Sequence, residues 1–242
     1  MAPFRWKNCF ADVQASKHDI AIQSYFEDVI LPALRTLEER IDDLRRSDMP
    51  GHQFAQADME DVRRETKLAF GLSIQSIWER QIRAYLRGCA NELRPGEALA
   101  AKVEQANWTQ LRKLFRDLRG ISLDEFPSFW ALDTLHHLGN ACRHGDGGSA
   151  HELARRCPDL WPAVPPLPPE FSRAQPTVAA VATMDIPVHQ LRAFVDAVAA
   201  FWNDAEYIYN ESIERKHKSL EVRLARDRAQ RGWLPQASVN GG

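Results

Sequence analysis

The 242-residue chain is 44% hydrophobic and 26% charged, proportions that exclude a disordered or low-complexity protein. Its 31 basic and 33 acidic residues leave a formal net charge of -2. That balance neither requires nor excludes a nucleic-acid partner, because a local basic patch can form on a neutral protein.

The four cysteines, Cys9, Cys89, Cys142 and Cys157, form no close CxxC pair and read as reduced thiols of a cytoplasmic protein. The opening MAPFRWKNCFADVQASKHD lacks an uninterrupted apolar stretch of signal-peptide length. The most apolar later stretches carry Asp196, or Glu79 and Arg80, so no membrane span is expected.

Residues 14–47 read as a first long helix. Ile22, Phe26, Val29, Ala33, Leu37, Ile41 and Leu44 recur at three- and four-residue intervals, and Pro32 is expected to bend it. Met49-Pro50-Gly51 is a stop. A second pattern covers 56–93, with Phe70, Ile74, Ile77, Trp78, Tyr85 and Leu86 as a wide apolar band. Gly71 and Gly88 either weaken this helix or mark close approaches. A third helix is expected over 98–118 on Val103, Trp108, Leu111 and Leu114. Ser122 and Glu125 have capping-box spacing, and a helix then carries Phe129 to Leu138 toward a stop near His144–Gly148.

Residues 149–186 begin with a short helical segment at His151–Arg156. The proline-rich CPDLWPAVPPLPPEF follows and reads as a packed irregular crossover anchored by Leu160, Trp161, Val164 and Leu167, with a flexible linker as the alternative. A short strand is expected at 177–181. The last long helix covers 187–216. Seven basic residues then fall within 215–231, and Arg223, Arg226, Arg228 and Arg231 either extend a solvated helical face or recruit RNA electrostatically. The expected organisation is an N-terminal segment 1–13, a helical domain 14–216 and a basic tail 217–242.

The densest polar cluster is LHHLGNACRHGDG, residues 135–147. On a continuing helix Asn140 and His144 are i and i+4 and share a face. Neutral histidine accepts a proton near physiological pH and its protonated form donates one. Arg143 is suited to hold phosphate. Asp146 can orient the histidine, accept a helix-end hydrogen bond or face water. Gln75, Glu79 and Arg83 share a face of the second helix, so Glu79 either reaches the cluster or pairs with Arg83. His137, His144 and His151 recur every seven residues beside His136, but the glycines break the register. HExxH and structural-zinc spacings are missing, so neither a metal nor a cofactor is expected.

A long-helix bundle followed by Asn-x-x-x-His-Gly near a helix end resembles the HEPN superfamily, particularly its prokaryotic branches associated with defence and toxin systems. The resemblance covers the layout of residues 14–216, and its specific motif is 139–144. It implies an all-α bundle of four to five main helices with a proline-rich crossover. It also implies metal-independent RNA cleavage, with His144 as acid/base, Arg143 as phosphate clamp, Asn140 positioning substrate or His144, and Asp146 and Glu79 supporting them. Further implications are an RNA substrate, a homodimer in which residues such as Trp78, Trp130 and Trp202 can take part, and an antitoxin or defence-system partner. The sequence departs from the family signature at its arginine position, which is Gly139. A catalytically degenerate protein- or RNA-binding module is therefore the alternative reading.

Overall fold

The computed structural model describes residues 3–161 and 180–235, and these are helical throughout, with no strand. The helices are α1 (Phe10–Ala15), α2 (His18–Tyr25), α3 (Leu31–Arg45), α4 (His52–Leu93), α5 (Leu99–Gln105), α6 (Trp108–Arg119), α7 (Phe129–His144), α8 (Gly148–Arg156), α9 (Val188–Ser212) and α10 (Lys218–Gln230). Without the two shortest, α1 and α5, eight distinct helices remain among the described residues.

The all-α expectation therefore holds, but four to five main helices with a proline-rich crossover does not. Local chemistry cuts the long periodic runs into pieces. Pro32, which lacks an N–H to donate, does not break its run: it sits in the first turn of α3, which a π-helical turn at Phe26–Ile30 joins to α2. The expected 98–118 helix is interrupted by the extended backbone of Ala106. Asn107 then caps α6, its side chain accepting from Gln110 N at 2.9 Å while Gln110 Oε1 accepts from Asn107 N at 2.9 Å. The Ser122–Glu125 box closes only the short 3-10 turn Leu123–Glu125.

Both ends of the expected crossover are helical rather than irregular: α8, then a 3-10 turn at Pro158–Leu160, and another at Val181–Thr183. Residues 162–179, including Val164, Leu167 and most of the expected strand, lie outside the described residues. The flanking residues are tied together, with Trp161 Nε1 donating to Ala180 O at 2.9 Å and Asp185 N to Leu160 O at 2.8 Å.

The chain forms two compact units. The first draws on residues up to Ile22, Trp78–Trp130 and the chain from Ala197. Its core is aromatic: Trp78 meets Phe201 edge-on at 4.8 Å, and Phe126 lies 4.8 Å from Phe201. Trp78 and Trp202 are buried there, and Trp202 Nε1 donates to Gln81 Oε1 at 2.9 Å. The basic C-terminal residues belong to this unit as a helix of their own. Leu224 of α10 is buried, Arg228 grips the buried Glu211 with two nitrogens at 2.6 and 2.8 Å, and Arg231 pairs with Asp204.

The second unit comprises Gln23–Ile77 and Ala131–Asp196. Its aliphatic core includes Ile74, Leu135, Leu138, Leu153, Ile186 and Leu191. At Gly71 on α4, a Cβ would stand 3.0 Å from Leu138 Cδ2 and 3.1 Å from Ile186 Cδ1, so the glycine marks a close approach. Lys67 of the same helix pairs with Asp185.

Candidate functional site

The polar cluster lies at the C-terminal end of α7, in the second unit. Lys-free but basic, the last turn carries Arg143 and His144, and the helix stops at Gly145, whose φ of +74° is easily reached only without a side chain. Gly145 N still donates to Ala141 O at 2.9 Å, closing the last turn. Asp146 then turns back into the fold, its Oδ1 accepting from Val181 N at 2.7 Å. It anchors the chain after residue 180 through this bond.

Asn140 faces away from the expected partner. Its Nδ2 is 3.0 Å from His136 Nε2, one turn earlier on the same helix. His144 is exposed, and among the described residues its side chain makes no hydrogen bond that would orient it. Arg143 is also exposed, and its Nη2 donates to Gln75 Oε1 of α4 at 3.3 Å.

Gln75 explains the glycine in the motif. Its side chain is buried against α7, and a Cβ at Gly139 would come within 2.5 Å of Gln75 Cγ and 2.8 Å of Gln75 Oε1. The space that an arginine stem at position 139 would need is filled by glutamine. The same glutamine engages the arginine one turn later, Arg143. Glu79 belongs to the first unit, where it forms the expected pair with Arg83 at 2.7 Å.

Beside this site α7 joins α8 through charge. Arg156 bonds Asp133 at 2.8 Å, Glu152 at 2.6 Å and Thr134 Oγ1 at 3.2 Å. Arg155 and Arg156 hold the Glu152 carboxyl down to about 2. His137 Nε2 lies 3.9 Å from Asp133, yet burial outweighs that carboxylate and lowers the imidazole below its ordinary value. Burial also pushes the Cys142 thiol up to about 11, which leaves it protonated and a poor nucleophile at neutral pH. Among the described residues no three His, Cys, Asp or Glu side chains converge as a metal site.

No protein-family model, curated protein or solved structure matches this chain. The HEPN resemblance therefore rests on residues 139–144 of the sequence and the all-α class alone.

Of the four arginines expected to meet RNA, two are committed elsewhere: Arg228 to Glu211 and Arg231 to Asp204. Arg223 and Arg226 are exposed on α10. Among the described residues no helix is long and apolar enough to cross a membrane. Sequence spacing put Gln75 on a polar face with Glu79 and Arg83 but did not connect it to the motif. The only available signal was Gly139 itself, a residue unfavourable in mid-helix that marks a close approach.

Proposed function

We propose that this chain is a catalytically degenerate HEPN-like module that binds a macromolecular partner without cleaving RNA, and that the partner is a protein. One observation carries the loss of catalysis: Gln75 fills the space beside Gly139 and holds Arg143. A transition-state clamp needs donors aimed at the phosphate oxygens, and an arginine tied to a glutamine on the next helix begins from a different geometry. General-base work needs the imidazole oriented, and the asparagine expected to do so is paired with His136.

A protein partner is favoured over RNA by what is exposed. Two of the four tail arginines are neutralised by carboxylates, whereas large apolar side chains stand in water. Phe10 and Val13 share a face of α1 in the first unit, and Met49 and Phe54 flank the start of α4 in the second. A titration with labelled single-stranded RNA at rising salt tests this choice. Weak association that Arg223→Ala/Arg226→Ala leaves unchanged is expected. A tight complex with a steep salt dependence, lost in that variant, would make the chain an RNA-binding module instead.

The nuclease or toxin-effector reading keeps one observation in its favour, the exposure of Arg143 and His144 side by side at the end of α7. In it His144 serves as acid/base and Arg143 leaves Gln75 for the phosphate. Its signature is RNA cleavage in chelator that disappears in His144→Ala.

A further inference from the structure

Far along the chain from the α7 motif, the first unit buries a second polar cluster. Arg119, at the end of α6, is fully enclosed. Its Nη2 donates to Asp12 Oδ1 at 2.8 Å and its Nη1 to Lys7 O at 3.0 Å, while its guanidinium carbon lies 3.9 Å from the Trp6 ring centroid. Tyr85 donates to the same Asp12 oxygen at 2.8 Å. Two thiols complete the cluster. Cys9 Sγ and Cys89 Sγ are 3.4 Å apart, although 80 positions separate them in sequence, and Arg119 Nη1 lies 3.8 Å from the first and 3.7 Å from the second.

The approach of these sulfurs is built into the backbone. A Cβ at Gly88 would stand 2.7 Å from Ala11 Cβ, so the glycine lets α1 seat directly on α4. Cys9 is fixed at the start of α1, its N–H donating to Asp12 Oδ2 at 2.8 Å. Asp12 fixes that amide as part of the capping box of α1, so the guanidinium beside both sulfurs is what sets this pair apart from ordinary core cysteines.

We propose that Cys9 and Cys89 are a reversible oxidation site at which a hydroperoxide joins residues 3–9 to α4 through a disulfide. The sulfurs have to close from 3.4 Å to a bond of about 2.0 Å, a far shorter path than thiols in separate parts of the core would face. Cys9 keeps 5% exposure beside the wholly enclosed Cys89. Its hydrogen bond to Cys9 raises the Cys89 thiol and lowers that of Cys9, so Cys9 is the attacking sulfur. Arg119 supplies an adjacent positive charge, which the carboxylate of Asp12 opposes, so the hydrogen bond from Cys89 is the larger influence.

Cys9 attacks one oxygen of hydrogen peroxide. The O–O bond breaks, the departing oxygen takes the Cys9 proton and leaves as water, and Cys9 becomes a sulfenic acid. Cys89 sulfur then attacks Cys9 sulfur. The S–O bond breaks, and the leaving hydroxide takes the Cys89 proton as a second water. Two thiols are oxidised by two electrons, and one peroxide is reduced to two waters. The enclosure of both sulfurs restricts the oxidant to one as small as hydrogen peroxide. Cys142 and Cys157 are more exposed and serve as internal controls.

The test uses the whole wild-type chain. After treatment with hydrogen peroxide and alkylation, the non-reduced peptides are mapped by mass. The expected product is one linked pair, Cys9 with Cys89, lighter by two hydrogens and separated by dithiothreitol, with Cys142 and Cys157 still open to alkylation. Recovery of Cys9 and Cys89 as thiols while Cys142 or Cys157 is oxidised would overturn the proposal. So would advance of Cys9 to sulfinic acid without a link. In Cys89→Ser, dimedone should capture sulfenic acid at Cys9. Equal capture in wild type would show that Cys89 does not resolve it and would also overturn the proposal.

Discussion

Gln75 and Gly139 interlock: the glutamine side chain lies where any side chain at position 139 would have to begin, 2.5 Å from an added Cβ. An exposed mid-helix Gly→Ala change ordinarily stabilises by about 1 kcal/mol. Here Gly139→Ala should instead destabilise the protein by about 1–3 kcal/mol, because the glutamine stem has to move out of a packed site. Denaturant unfolding reads the sign. The double variant Gln75→Ala/Gly139→Ala should recover much of the loss, since the colliding atoms are gone.

The same interlock shows how far the sequence could be read. Helical class, the stop at the end of α7 and the Glu79–Arg83 pair follow from periodicity, glycine position and i,i+4 spacing. The number of helices does not, because short-range caps such as Asn107–Gln110 divide a run whose apolar period continues across the break. Likewise Asn140 could bond one turn forward or one turn back, and periodicity gives both the same face. Its choice of His136 is set by geometry in three dimensions.

Arg119 and Asp12 form an ion pair almost wholly removed from water, with side-chain exposures of 0% and 1%. Asp12→Ala should cost about 3–5 kcal/mol, since it strands a buried guanidinium. Arg119→Lys should also destabilise, because an ammonium cannot reach Asp12 and Lys7 O while lying flat on Trp6. Thermal melting of both variants checks this. Melting curves that overlay wild type would remove the cluster from the fold's support.

The 218–230 helix was legible as basic but not as structural, since a single buried leucine among charges gives little periodicity. Leu224→Ala should destabilise by about 2–5 kcal/mol, as for other buried leucines. Arg228→Ala should also lower the melting temperature, because the buried Glu211 would lose its paired cation and keep only the Tyr207 hydroxyl on its carboxylate among the described residues. Loss of RNA affinity without any change in melting would instead mark a solvated tail.

Acid should weaken the fold through two histidines. Burial lowers both His18 and His137 below the ordinary value of 6.5, so the unfolded chain binds their protons first as pH falls. Their contribution is whole above about pH 6.5 and is lost as pH drops from there toward each depressed native value. Stability measured across pH 5–8 should therefore rise with pH through this window, at roughly neutral-to-acid values set by histidine. His137→Gln should flatten part of the slope, and an unchanged slope in that variant would assign the effect to other groups.

On the degenerate-module proposal, Gln75 leaves the end of α7 without a phosphate clamp, and the site does not cut RNA. The direct measurement is to incubate purified wild type and His144→Ala with mixed RNA in chelator and map the product ends. On this proposal, RNA exposed to either protein stays as intact as in buffer. Cleavage at defined ends by wild type, lost in His144→Ala, would contradict it.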